Sequence, residues 1–436
     1  MRPSGPRRTA SRSKPAPRGP VRRLSLTVER LASEGYGFAR IEGRPVLIPG
    51  ALAGETVTVE WRDGAAEARL IGFETPAAER VPPACSHFGA CGGCVLQHLD
   101  ASAYASFKER LVRDALARQG LGEVEVLPVQ VSPPRSRRRA SLRARRQGPA
   151  VLLGFHAEAS HDLVDITQCP ILTPVLERLL PDLRGLLLRV LPPGGTARVV
   201  LTEIRDGVDL GLDLPMVPGL AELEVLAAFT PSVPLARLWW RKGDMAPVLA
   251  RQSQEPGLDF GSVRVSPVMG GFLQATAEGE AALAHFVEVG LRGAARIADL
   301  HAGCGTFALR LAAAGAAVHA VELSGDALGA LAAAARRQGV QVTVERRDLD
   351  ERPLLPVELD RFDAVVFDPP RAGARALAMH LAASRVPRIA AVSCNPASFA
   401  RDARLLVEGG YRLDRVQPVD QFLWSAHIEL AAIFQR

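Results

Sequence analysis

Lysine is almost missing from this chain. Of its 53 basic residues only Lys14, Lys108 and Lys242 are lysines, so the net charge of +6 is carried by arginine. No stretch of about 18 uncharged apolar residues occurs, which excludes a transmembrane helix. The basic N-terminus is followed by no apolar segment, so it does not read as a secretory signal. Cysteine is scarce: Cys85, Cys91, Cys94, Cys169, Cys304 and Cys394. In a reducing compartment these stay thiols rather than disulfides. The turn Gly303-Cys-Gly305 lacks the Gly-Lys-Ser/Thr of a P-loop and is too short for a dinucleotide fingerprint. What remains is an expected cytoplasmic protein with no membrane partner. Its composition is ordinary for a globular chain, 47% hydrophobic and 23% charged. At 436 residues it has room for two or three domains.

The arginines are unevenly placed. Residues 1–23 hold many basic residues and no acid, with Pro, Ser and Gly, and read as a disordered basic tail. A second run is Arg135-Ser-Arg-Arg-Arg139, continued by Arg143, Arg145 and Arg146. The guanidinium fork matches phosphate oxygens, so a polyanion such as RNA is the expected partner. The competing reading is an arginine-rich proteome with solvated basic faces.

From Leu24 the pattern alternates with a period of two. Five short strands within 24–80 fit a small β-barrel of the OB type. A Cys/Gly/His-rich loop follows, then a helix over 101–119 with Tyr104, Phe107, Leu111 and Ala115 at helical spacing. Residues 81–265 read as a central mixed α/β domain, the least regular third of the chain. From 266 to 436 strands alternate with helices, which implies a parallel sheet. Two closing strands with a short connection suggest an antiparallel hairpin at one edge.

Three strand ends carry polar residues. The first is Asp299-Leu-His-Ala-Gly-Cys-Gly-Thr306, a strand, a Gly turn and a helix start, with Glu322 ending the next strand and Asp348 the third. Ligands of open α/β sheets bind at such carboxyl ends, where an acid can bind ribose hydroxyls. Together these resemble an adenosylmethionine site. The second is Asp368-Pro-Pro-Arg371, where Arg371 replaces the aromatic residue typical of exocyclic-amine methylation. The third is Ser393-Cys394-Asn395-Pro396. Carbon 5 of uracil is a poor nucleophile, and a thiolate adding to carbon 6 activates it. A base must then remove the carbon-5 proton. One Cys and one carboxylate suffice, and Cys394 with Glu429 of His427-Ile-Glu429 supply them. Cys85, Cys91, Cys94 and distant Cys169 form a four-thiolate set, which suits either [4Fe–4S] or zinc.

With these motifs, the chain resembles the RNA 5-methyluridine methyltransferase family, most closely the branch acting on a uridine of 23S ribosomal RNA. The resemblance covers residue 24 to the C-terminus. It implies a Rossmann-like class I S-adenosylmethionine-dependent methyltransferase domain over 266–436 and an N-terminal TRAM domain over 24–80. It implies a [4Fe–4S] cluster on Cys85, Cys91, Cys94 and Cys169. It also implies cofactor contacts from Gln274, His301, Thr306, Glu322, Asp348 and Asp368, with Cys394 as nucleophile and Glu429 as base. The chain departs from the family at His301, usually aromatic, and at Thr306, usually Asn. Gln274 is followed by Ala-Thr where the second residue is usually Asn, and Asp420-Gln-Phe-Leu-Trp424 varies the family's Asp-x-Phe-Pro-His. The expected protein is a monomer that methylates 23S rRNA. The alternatives are tRNA as substrate, or a non-catalytic RNA-binding protein with a structural metal site.

Overall fold

A computed structural model describes residues 19–158 and 160–436. Most of the basic tail, residues 1–18, lies outside the described residues. The chain divides into two units at Val81/Pro82.

The first unit holds two three-stranded sheets. Val21–Thr27, Thr56–Arg62 and Ala68–Thr75 form one, with Thr56–Arg62 in the middle. Arg30–Leu31, Gly37–Ile41 and Arg44–Ile48 form the other. Alternate residues turn inward, so Val57, Val59 and Trp61 are buried with Val46 and Ile48. The first strand starts at Val21, so residues 21–23 belong to a sheet, not to a disordered tail.

The second unit is built on two large sheets. The seven-stranded sheet runs Leu163–Asp165, Ala150–His156, Arg139–Gln147, Thr196–Ile204, Gly207–Asp213, Leu235–Arg241, Val248–Gln252. All its neighbours are antiparallel except Gly207–Asp213 with Leu235–Arg241. Helix Leu180–Val190 packs Leu183, Leu186 and Leu187 against Leu142, Leu153 and Leu201 of one face. Strand Arg139–Gln147 therefore turns Ala140, Leu142 and Ala144 toward that helix, and Arg139, Ser141, Arg143 and Arg145 the opposite way.

The nine-stranded sheet begins with five parallel strands in the order Val342–Arg346, Ala317–Glu322, Arg296–Leu300, Ala364–Phe367, Arg388–Ser393. Glu429–Gln435 then pairs antiparallel with Arg388–Ser393, and Arg412–Asp420 with Glu429–Gln435. The closing hairpin is not the edge, as the sequence suggested. Glu125–Val126 and Gln130–Val131 pair parallel with Arg412–Asp420 outside it. The reason lies in helix Ala101–Arg118, which precedes them and buries Val112, Ala115 and Leu116 in the core of this sheet. Asp100 caps that helix by accepting from Ala103 N at 2.8 Å.

Candidate active site

One cavity of about 760 Å³ lies at the carboxyl ends of the parallel strands, and its opposite wall is the arginine face of the seven-stranded sheet. Gln274, His301, Glu322, Asp348, Asp368, Cys394 and Glu429 all line it. Thr306 does not: it follows the Gly turn, partly buried, away from the lining.

The cofactor-loop side is built by backbone geometry. Strand Arg296–Leu300 ends in a turn where His301 sits at φ 62° and Gly303 at φ 56°. A Cβ at Gly303 would meet nothing within 4 Å, so its backbone faces open space. The N–H of Gly303 donates to Glu322 Oε2 at 3.1 Å, and that of Ser324 to Glu322 Oε1 at 2.9 Å. Glu322 is thus fixed at the tip of its strand. Asp348 accepts from Asp350 N at 3.0 Å, two residues past the third strand. Below the turn, fully buried Asp299 accepts from Ala308 N at 2.8 Å. Burial pushes its pKa up to about 8.

The reactive side is set by strand register. Strands Arg388–Ser393 and Glu429–Gln435 pair Val392 with Ala431 and Ser393 with Leu430. One step further along that antiparallel register stand Cys394 and Glu429. Directly opposed residues point to the same face with Cβ atoms about 4.5–5.5 Å apart. Burial pushes the Cys394 thiol up to about 11, helped by the Glu429 and Asp368 carboxylates and opposed by Arg371. Glu429 is buried and its Oε2 has no hydrogen-bond partner. Burial, and the neighbouring Asp368 carboxylate, raise its pKa well above the usual range. Asp368 is raised to about 7 by burial, against a lowering by the Gln274 amide, whose Nε2 donates to Asp368 Oδ2 at 3.1 Å. The Arg371 carbonyl accepts from Asn395 Nδ2 at 3.0 Å and Ser398 Oγ at 3.1 Å, which ties the Asp-Pro-Pro-Arg turn to the cysteine turn.

The opposite wall was not resolved by sequence reasoning. Arg139 and Arg198 line the cavity, and Phe272, 65% exposed, stands with the Arg139 guanidinium 5.7 Å from its ring centroid. Alternation sorts the arginine run. Arg143 and Arg145 share the face of Arg139, and Arg198 lies opposite Arg143 on the next strand. Arg138 and Arg146 serve the fold instead. Arg138 pairs with buried Glu280 at 2.6 Å, and Arg146 donates to the Leu191 carbonyl at the end of a helix. The arginine run at 135–146 is therefore not one uniform basic surface: Arg137 and Arg139 line the cavity, while Arg138 and Arg146 are tied to the fold. The period-two pattern of this strand was the signal that could have separated them.

The segment leading to Glu429 is clamped. Buried Lys108 pairs with buried Asp420 at 2.9 Å and donates to the His427 carbonyl. Asp420 also accepts from Tyr104 OH at 2.5 Å and Phe422 N at 3.0 Å. The Trp424 carbonyl accepts from Val95 N at 2.8 Å and Leu96 N at 3.0 Å, just after the cysteine loop.

Cys85 and Cys94 lie within electrostatic reach of both Cys91 and Cys169. Burial pushes Cys94 to about 11 and Cys169 to about 12; Cys91 and Cys85 add to the first shift, Cys94 and Cys85 to the second. Backbone N–H groups point at the sulfurs: His87 N to Cys85 Sγ at 3.4 Å, and those of Ile171 and Leu172 to Cys169. A Cβ on Gly92 would sit 3.0 Å from the His156 carbonyl, so that loop packs closely on the sheet. Among the described residues no group of three or more His, Cys, Asp or Glu has the arrangement of a metal-ion site.

Fold and cavity together define a class I methyltransferase preceded by a TRAM domain. Residues 297–380 match the model of a methyltransferase domain, and residues 17–61 that of the TRAM domain. The chain is 41% identical over 413 residues to an uncharacterized RNA methyltransferase of Brucella suis, covering 94% of this chain and 97% of that one. It is 37% identical to the 23S rRNA (uracil(1939)-C(5))-methyltransferase of Chromohalobacter salexigens, covering 94% and 89%. Among solved structures, a Pyrococcus abyssi tRNA (uracil-54, C5)-methyltransferase bound to S-adenosyl-L-homocysteine shares the fold. Its TM-score is 0.73 at 22% identity, covering 94% of this chain and all of that one. The chain belongs to the TRAM-containing RNA methyltransferases.

Proposed function

We propose that this protein methylates carbon 5 of a uridine in 23S ribosomal RNA, in the cytoplasm. The observation that carries the reading is the register that sets Cys394 against Glu429 beside Asp368 in one cavity. The 37% identical relative, similar over nearly the whole chain, supports ribosomal over transfer RNA.

Gln274, His301, Glu322 and Asp348 would hold S-adenosylmethionine along the strand ends. When bound, that cofactor supplies an electrophilic methyl group. In the free protein Cys394 keeps its proton, because burial, and after it the neighbouring Glu429 and Asp368 carboxylates, disfavour the thiolate. Asp368, ionising near neutrality, is the acceptor at hand for that proton. Cys394 Sγ then bonds to carbon 6 of the flipped uracil, and the displaced electron pair makes carbon 5 nucleophilic. Once carbon 5 carries the methyl group, Glu429, having first given up its own proton to solvent, takes the carbon-5 proton as the carboxylate, and its raised pKa makes it the stronger base. The ring double bond re-forms and the thiolate leaves. Arg139, Arg143, Arg145 and Arg198 would hold RNA phosphates on the sheet face leading to the cavity.

Cys85, Cys91, Cys94 and Cys169 would ligate a [4Fe–4S] cluster. Four gathered thiols with N–H groups aimed at sulfur suit its thiolate chemistry, and an electron-rich cluster is the group such N–H groups stabilise. The cluster would tie Gln168–Pro170 to the loop before helix Ala101–Arg118. Iron and sulfide analysis of anaerobically purified protein checks this: stoichiometric zinc without sulfide contradicts it.

The test of function is to incubate the protein with 23S rRNA and labelled S-adenosylmethionine, digest the RNA and identify the product nucleoside. 5-Methyluridine is expected. Label on an oxygen or an exocyclic nitrogen contradicts the reading.

A further inference from the structure

We infer that Gln421 is a positioning residue whose amide dictates which end of the Gln274 amide faces Asp368. The inference rests on the proposed reading, in which Gln274 and Asp368 belong to the reaction cavity. Gln421 itself does not line the cavity and is 1% exposed behind its wall.

An amide side chain has two ends of nearly equal shape and opposite hydrogen-bonding character. Its orientation must be set by a partner whose character is fixed. Here that partner is backbone. The N–H of Ala275 can only donate, and it lies 2.8 Å from Gln421 Oε1; the N–H of Thr276 follows at 3.4 Å. Gln421 must therefore turn its Nε2 the other way, and it donates to Gln274 Oε1 at 2.5 Å. With its oxygen so occupied, Gln274 must present Nε2 to Asp368, which accepts at 3.1 Å. A backbone donor thus fixes the polarity of two amide side chains in series, ending on the Asp368 carboxylate.

Among the described residues no other hydrogen bond fixes the side chain of Gln274. Its backbone carbonyl accepts from Arg138 Nε at 3.3 Å, but that bond is blind to the side chain. The Thr276 hydroxyl is spent accepting from Gly279 N at 3.0 Å, capping helix Ala277–Gly290, and sharing a 2.8 Å bond with Ser132. Were Gln274 to flip, its oxygen would face a carboxylate oxygen, tolerated only if Asp368 held a proton. Asp368 would then no longer accept the thiol proton.

The test is a double-mutant cycle on the full-length protein, with Gln421→Met, Gln274→Ala and the pair. Met keeps the length of the side chain and removes both ends of the amide. Two quantities are read: the rate of methyl incorporation into 23S rRNA, and the affinity for S-adenosyl-L-homocysteine by calorimetry. Gln421→Met is expected to lower the incorporation rate about tenfold or more, the effect of leaving a buried amide without its partner. That loss should vanish in the Gln274→Ala background. An equal loss in both backgrounds, or no loss, overturns the inference. Gln421→Glu gives a second arm: it can still accept from Ala275 N–H but cannot donate to Gln274. Wild-type rates in Gln421→Glu would show that the donated bond is irrelevant. Failure of the functional reading looks different: the methyl group would then sit at another atom of the RNA, whatever the cycle gives. Were wild-type protein to methylate no RNA, the affinity cycle would still decide the relay.

Discussion

The two walls of the cavity are made in opposite ways. One is the fringe of a parallel sheet, where each strand delivers one polar residue at its end: Glu322, Asp368, Cys394. The other is the flat face of an antiparallel sheet, where every second residue of a strand points the same way: Arg139, Ser141, Arg143, Arg145. The first wall is the drier, and burial pushes Asp368, Glu429 and Cys394 toward their neutral forms. On the second, Arg143 and Arg145 are exposed to water, while Arg139 and Arg198 are half-buried. Strand ends fix a few groups tightly in three dimensions, which suits bond-making. A sheet face spreads many groups along a line, which suits a polymer.

The contrast is tested most severely on the dry wall. Cys394→Ala should abolish methyl transfer, since it removes the thiol proposed to bond to carbon 6; residual 5-methyluridine formation by the variant contradicts this. Next comes the clamp behind it. Lys108→Met leaves the Asp420 carboxylate buried without its cation, a destabilisation of about 3–5 kcal/mol. Urea denaturation should register the loss, and an unchanged midpoint would mean that the pair is dispensable.

Smaller effects belong to the wet wall. Arg143→Gln with Arg145→Gln should weaken RNA binding and reduce the slope of log affinity against log salt by about 0.9 for each phosphate no longer neutralised. Arg138→Gln should instead lower the melting temperature, because it breaks the pair with Glu280. If the two sets of variants behave alike, the alternation argument fails. The smallest effect concerns pH. Asp299 has a folded-state pKa of about 8 against an ordinary 3.8, so the folded chain holds a proton that the unfolded chain has released. Its contribution is fully present below the lower value and is lost as pH rises through the upper one. Asp299→Asn keeps an acceptor for Ala308 N and removes this dependence. The variant's melting temperature should gain on wild type between about pH 4 and about pH 8 and level off above that; parallel curves across that window would refute the shift.

The same contrast explains what could be read in advance. The alternating strands and helices from 266 onward were legible: strands Ala317–Glu322 and Arg388–Ser393 are short, mostly apolar segments closed by polar residues, and helix Ala277–Gly290 carries its apolar residues at helical spacing. The strand-end residues came with them. The central sheet was not legible. Its strands are joined by connections of varied length, and its arginines serve the core and the solvent in turn. Gln421 was invisible for another reason: it acts through Gln274, and no local pattern marks a residue that only orients another. The outer strands Glu125–Val126 and Gln130–Val131 are two residues each, too short to carry a period.

The central claim is that Cys394 and Glu429 act on one uracil ring in sequence. Glu429→Gln, incubated with 23S rRNA and methyl-labelled S-adenosylmethionine, should bond to carbon 6 and transfer the methyl group. It should then stall with the carbon-5 proton in place. A denaturing gel should show labelled RNA joined to protein, released about 10²–10⁴-fold more slowly than wild type turns over. Normal turnover by Glu429→Gln, or labelled RNA never joined to the protein, would contradict the account.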